Sequence, residues 1–207
     1  MNKGKLYIVS GPSGSGKDTL LCEFFKKHPE VAFSISSVSR PMREGEKEGE
    51  KYNFISREAF LKLIADDMLL EYNEFCGNFY GTPKAPVTEC LERGKDMILE
   101  VDVNGAANVR KKLPSALSVF IMPPSYDELL RRLQGRGTEK EEVIKARMNA
   151  ALVEIERAKE FDYIVVNDKI SDAVDDLISI IISGRPINKD EKNIIDEVLK
   201  NVESRYW

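Results

Sequence analysis

Seven consecutive residues, Gly11-Pro12-Ser13-Gly14-Ser15-Gly16-Lys17, have the types and spacing to cradle a chain of phosphates. Glycines let successive backbone N–H groups turn inward without a Cβ clash, and the N-terminus of a following helix adds partial positive charge. Lys17 supplies a mobile point charge for the outer phosphates. In this G-x-x-x-x-G-K pattern the next residue is normally a Ser or Thr whose hydroxyl meets magnesium. Here it is Asp18, followed by Thr19. Aspartate suits the first turn of a helix as a cap, and its carboxylate equally suits magnesium, directly or through water. Both readings stay open. Thr19 does not decide between them, because one residue further along a helix its side chain points about 100° away.

Such a loop works only between a strand and a helix, and the flanking residues provide both. Leu6-Tyr7-Ile8-Val9 reads as a buried strand and Asp18 to Lys27 as a helix. The same alternation recurs: a strand over 97–103 and a helix over 106–113, a strand over 117–122 and a helix over 127–133, then a strand over 163–166 and a helix over 171–182. Strands followed by helices of this length indicate βαβ units and a parallel sheet covered on both faces. The fold class is therefore α/β, a phosphate-loop parallel sheet flanked by helices.

Two stretches interrupt this rhythm. Residues 32–94 mix short strands (Phe33 to Ser36) with one helix near 57–64, hold most of the tyrosines and several isolated arginines, and read as a small insertion. Residues 131–150 carry Arg131, Arg132, Arg136 and Arg147 around Gly135 and Gly137, a poor core segment that suits a mobile lid. The remaining core falls at about 1–31, 95–130 and 151–184. Beyond it, about 185–207, Ile194, Ile195, Val198, Leu199 and Val202 recur at helical spacing. That apolar stripe docks either on its own domain or on a second subunit, so monomer and homodimer both remain open.

Composition narrows the partners. The chain of 207 residues is 32% charged and 42% hydrophobic, an ordinary globular balance. Net charge is −4 with no basic run, which gives no support for nucleic acid or an anionic membrane surface. No apolar run approaches the roughly 20 residues that span a bilayer, and the first residues do not read as a signal peptide. Three scattered cysteines (Cys22, Cys76, Cys90) and one histidine argue against a disulfide framework or a Cys/His zinc site. A reducing compartment, the cytoplasm, is expected.

Five ordered motifs beyond the first strand carry a family resemblance over about residues 5–184. After the phosphate loop come Ser34-Ile35-Ser36-Ser37-Val38-Ser39-Arg40-Pro41-Met42-Arg43-Glu44-Gly45-Glu46 and Tyr52-Asn53-Phe54, then Leu70-Glu71-Tyr72 with Gly77-Asn78-Phe79-Tyr80-Gly81-Thr82. Next are Leu99-Glu100-Val101-Asp102-Val103-Asn104-Gly105, then Pro123-Pro124-Ser125 with Arg132-Leu133 and Gly135-Arg136-Gly137, and finally Val166-Asn167-Asp168. Together they resemble guanylate kinases, which move the γ-phosphoryl of ATP onto GMP. Departures occur at Val38, Ser39 and Met42, where the family has two threonines and a proline, at Glu100, where it prefers aspartate, and at Lys169.

The resemblance implies a division of labour. ATP falls to Gly11 through Thr19 and to Asn167 near the adenine, with Lys17, Arg132, Arg136 and Arg147 as catalytic cations. The GMP phosphate falls to Arg40, Arg43, Tyr52 and Tyr80, two charged forks and two hydroxyls suited to a phosphate monoester, together with Ser36. Glu71 matches the base-reading glutamate, with Ser36 and Thr82 as hydroxyl partners; Glu100 and Asp102 match positions near the base and the metal. Guanine presents N1–H and N2–H₂ as donors, which one carboxylate accepts and adenine does not offer. Mg²⁺ with ATP is the implied cofactor, with Asp18 or Asp102 as protein carboxylates. Two other readings compete: a non-catalytic interaction module of the same fold, and a kinase acting on a ribose bisphosphate.

Overall fold

The computed structural model describes residues 3–135, 141–184 and 191–203. A parallel sheet runs in the order β2-β7-β1-β8-β9, built from β1 (Leu6–Ser10), β2 (Ala32–Phe33), β7 (Met97–Glu100), β8 (Leu117–Met122) and β9 (Tyr163–Val166). Every residue of β1 is buried, as expected of a strand covered on both faces. The chain divides into two compact units, one comprising the residues up to Ile8 with Glu30–Leu117, the other Val9–Pro29 with the residues from Ser118 onward.

The first unit contains a second, mixed sheet in the order β4-β3-β6-β5, formed by β3 (Ser36–Val38), β4 (Tyr52–Phe54), β5 (Leu69–Phe75) and β6 (Asn78–Pro83). β3 pairs parallel with β4 and antiparallel with β6. β5 and β6 form a hairpin closed by Cys76 and Gly77, both at positive φ (49° and 74°), the backbone a tight two-residue turn demands. Helix α2 (Arg57–Ala65) starts where the Ser56 side chain accepts the Ala59 N–H at 3.1 Å. It buries Phe60 against Leu69 and Phe79, whose ring stacks on Phe60 at 5.3 Å. Helix α3 (Lys84–Glu92) packs against β7.

Two sequence expectations need correction here. The strand expected over 33–36 is two strands in different sheets: β2 pairs with Met97 and Ile98, the Ser34 N–H still bonds the Ile98 carbonyl, and then the chain leaves to build β3. A short apolar run cannot reveal which sheet each half joins. The strand expected over 97–103 ends at Glu100. Asp102 caps helix α4 (Val103–Lys112) by accepting the Gly105 N–H at 2.7 Å, so that helix begins three residues before Ala106.

In the second unit, helix α1 (Lys17–Lys27) buries Leu20, Leu21 and Phe24 and packs on helix α7 (Ile170–Ile181). Helices α5 (Tyr126–Gln134) and α6 (Glu141–Glu156) occupy most of the expected lid. They bury Leu133 and Met148 within that stretch and Leu129, Leu152 and Ile155 beside it. Helix α8 (Glu191–Glu203) buries Ile195 and Val198 and lies against α5, α6 and the 3-10 turn at Arg157–Glu160. The apolar stripe thus docks within its own unit. Among the described residues no helix is long and apolar enough to cross a membrane.

Candidate active site

The phosphate loop lies wholly in the second unit. Gly16 occupies the position before α1 with φ of 82°, and a Cβ there would collide with the Asn167 side-chain nitrogen. Glycine is thus required both for the backbone conformation and for space. Gly14 is also left-handed (φ 89°), and the Ser15 N–H bonds the Pro12 carbonyl at 3.0 Å. Pro12 and Ser15 are buried, Lys17 is half-buried, and Ser13, Asp18 and Thr19 are exposed. Asp18 is the second residue of α1. The position before the helix belongs to Gly16, and Asp18 is the acidic residue of its first turn.

A polar network braces the loop from behind. Buried Asn167, just past β9, donates from Nδ2 to the Ser15 carbonyl at 2.8 Å. Arg132 donates to the same carbonyl at 3.2 Å and to the Asn167 carbonyl at 2.9 Å. Glu128 accepts from Arg132 Nε at 2.7 Å and also pairs with Arg131, and the hydrogen bonds from Arg131 and Arg132 hold its carboxyl down at about 2. Arg147 donates to the Ser13 hydroxyl at 2.7 Å. Arg136 lies outside the described residues. The Ser15 hydroxyl is buried with no hydrogen-bond partner among the described residues, an orphaned oxygen within the phosphate loop itself.

The first unit assembles the other group. Glu71 on β5 is only 7% exposed, and burial pushes its carboxyl up to about 7 against the opposing hydrogen bond from Thr82. Thr82, paired across from it on β6, donates its hydroxyl to Oε1 at 2.7 Å. A Cβ on Gly105 would lie 3.0 Å from Oε2, so glycine there leaves room for the carboxylate beside the start of α4. Asp102 accepts from Asn73 Nδ2 at 2.9 Å as well as from Gly105, and Glu100 pairs with Lys51 at 3.0 Å.

Arg40, Tyr52 and Tyr80 come together on the mixed sheet. The Tyr52 and Tyr80 rings are 6.2 Å apart, and the Arg40 guanidinium lies 5.4 Å from the rings of both Tyr52 and Phe54. Burial raises the Tyr52 phenol. Ser36 pairs in register with Tyr52 and is half-buried, while Arg43 is exposed. Glu46 accepts both terminal nitrogens of Arg40 at 2.6 and 2.5 Å, and the Arg43 N–H at 2.8 Å. Sequence reasoning gave no role to Glu46, Glu128 or Asn73. For Glu46 and Glu128 the available signal was an acid three to six residues from an arginine; for Asn73 there was none, since its partner is 29 residues away.

A family model described as "Guanylate kinase" matches residues 3–183. A guanylate kinase of Desulfitobacterium hafniense (strain Y51) is 47% identical over 184 residues, covering 89% of this chain and 92% of that protein. One from Neisseria gonorrhoeae (strain ATCC 700825 / FA 1090) is 44% identical over 199 residues, covering 96% and 97%. The crystal structure of guanylate kinase from Anaplasma phagocytophilum superposes with a TM-score of 0.71 at 29% identity, covering 95% of each chain.

Proposed function

The chain belongs to the guanylate kinase family, and we propose from that premise how its own residues carry the transfer of the γ-phosphoryl of ATP to GMP. The reaction is ATP + GMP ⇌ ADP + GDP, and dGMP is an alternative acceptor in this reading. The observation that carries the assignment is Glu71, a buried carboxylate with one oxygen bonded to Thr82. Ionised, it accepts N1–H and N2–H₂ of guanine. Adenine would place an acceptor nitrogen against it and leave buried groups unpaired, which discriminates strongly.

In this reading Arg40, Arg43, Tyr52 and Tyr80 hold the acceptor phosphate, Ser36 assists at the base, and Asp102 and Glu100 shape the surroundings of the base through their bonds to Asn73 and Lys51. The phosphate loop holds ATP by backbone N–H groups, with Lys17 on the transferring group. Arg147 and Arg136 contribute further positive charge as that group moves. Arg132 and Asn167 hold the loop in shape through the Ser15 carbonyl. Catalysis is mainly positioning and charge stabilisation, because a phosphate acceptor is already anionic near neutral pH and needs no general base. That suits a chain with one histidine.

The donor set fits magnesium. Asp18 is an exposed carboxylate in the first turn of α1, and the Ser15 hydroxyl is unpaired. Among the described residues no cluster of three or more acids, cysteines or histidines gathers to hold a metal, so the nucleotide's phosphates would supply much of the coordination. When bound, the ion neutralises charge on the outer phosphates. Asp18 is the carboxylate we assign to it; Asp102 already uses both oxygens. The scattered cysteines favour a reducing cytoplasm, where the reaction serves purine nucleotide recycling. A coupled assay with ATP and GMP, dGMP, AMP, UMP or ribose phosphates tests the reading: turnover of GMP and dGMP is expected, and a preference for AMP or a ribose phosphate would overturn it.

A further inference from the structure

Arg40 poses a problem that its assigned role alone does not solve. Its side chain is only 8% exposed, and a buried cation needs a partner before any substrate arrives. Glu46 is that partner. It grips the two terminal nitrogens, and one of them also donates to the Pro41 carbonyl at 2.9 Å. The rings of Tyr52 and Phe54 flank the guanidinium. Those three bonds leave two of the five N–H donors, the second on one terminal nitrogen and Nε–H; Tyr80 also hydrogen-bonds the guanidinium, and Nε is buried with no hydrogen-bond partner among the described residues. An orphaned charged donor is costly in a folded protein unless something completes it.

We propose that Glu46 is a positioning residue for the acceptor phosphate. By holding both ends of the Arg40 fork it fixes the guanidinium plane between the rings of Tyr52 and Phe54, so that the unpaired Nε–H donates to a phosphate monoester. The same carboxylate accepts the Arg43 N–H, so one acid sets the spacing of both arginines along the loop. Arg40 holds Glu46 at about 2, so the clamp is ionised at every working pH. This inference rests on the assignment of Arg40 to the acceptor phosphate.

The test compares GMP with guanosine, which carries the same base without the phosphate. Binding of each is measured for wild type, Glu46→Gln, Arg40→Ala and the double variant, with the KM for ATP and the melting temperature. A Gln carbonyl can accept only one end of the fork, and its NH₂ then faces a second donor. Glu46→Gln should lower GMP affinity by about tenfold relative to guanosine, with a much smaller change in the ATP KM and no further loss in the Arg40→Ala background. Glu46→Asp, which keeps the charge with a shorter reach, should fall between Gln and wild type. Unchanged or tighter GMP binding in Glu46→Gln would overturn the proposal, making Glu46 a competitor of the phosphate. A parallel loss of guanosine would reduce it to a structural residue. If Arg40→Ala lowers the ratio and Glu46→Gln does not, only the Glu46 proposal fails; if Arg40→Ala leaves the ratio unchanged, the assignment of Arg40 fails with it.

Discussion

The Asn167 side-chain nitrogen donates to the Ser15 carbonyl at 2.8 Å and occupies the space that a Cβ on Gly16 would need. The loop and the end of β9 are therefore fitted to each other. Gly16→Ala would meet both this collision and a left-handed backbone (φ 82°), which for a non-glycine residue costs ~1–2 kcal/mol before any clash. The expected result is a lower melting temperature and loss of most ATP affinity. Asn167→Ala should cost ~1–3 kcal/mol in urea unfolding, the usual penalty for removing one partner of a buried bond. It should also weaken ATP more than GMP. An Asn167→Ala protein as stable as wild type would show that Arg132 alone secures the loop.

Lys17 is half-buried in the first turn of α1 and contributes none of the apolar side chains that the helix buries. Lys17→Met should leave the fold intact by circular dichroism and reduce turnover by orders of magnitude, since it removes a charge from the transferring phosphoryl group. Near-normal turnover in the folded variant would remove the loop from the chemistry.

Glu71 gives the site a pH dependence with two opposite signs. Its carboxyl is raised from 4.5 to about 7 by burial, so the folded state holds its proton more tightly than the unfolded chain. The stability tied to that proton is fully present below the unfolded value and is lost as pH rises through about 7, a fall of ~3 kcal/mol. Guanine recognition needs the ionised form, so GMP affinity should rise over the interval in which unliganded stability falls. Ionisation of the GMP phosphate near pH 6 also contributes to that rise. Glu71→Gln should abolish the stability slope and weaken GMP more than inosine monophosphate, which lacks the 2-amino group. Equal losses for the two nucleotides would show that Glu71 does not read that edge.

Asp18 distinguishes this loop from the common pattern, and a carboxylate beside phosphates is repulsive unless a cation lies between them. ATP affinity without magnesium should be poor and should improve steeply as magnesium is added. Asp18→Ser should weaken that dependence and improve metal-free binding. Superimposable magnesium titrations for the two proteins would end the metal assignment.

Local signals were enough to read the phosphate loop and the strand-then-helix order, whereas the arginine, tyrosine and glutamate candidates were assigned by the family resemblance. The loop and the order rest on neighbours within a few residues: glycines at fixed offsets before Lys17, apolar runs of strand length, helical spacing after them. Partners brought together by folding were not readable. Residues 33–36 look like one strand, but whether Phe33 and Ser36 join the same sheet depends on competing partners, Ile98 for one and Tyr52 for the other. The helical stripe in α8 was legible as a stripe, yet its docking on α5 and α6 was decided by which apolar faces those helices left open. Glu71 was legible as an acid after two leucines; its raised pKa exists because folding removes water from around it and sets Asp102 near it, against the opposing hydrogen bond from Thr82. Sequence alone determined which groups this protein carries and in what order. Only the tertiary structure decided which of them lost their water and which found partners, because desolvation and hydrogen bonding depend on distances that folding creates between residues remote in the chain.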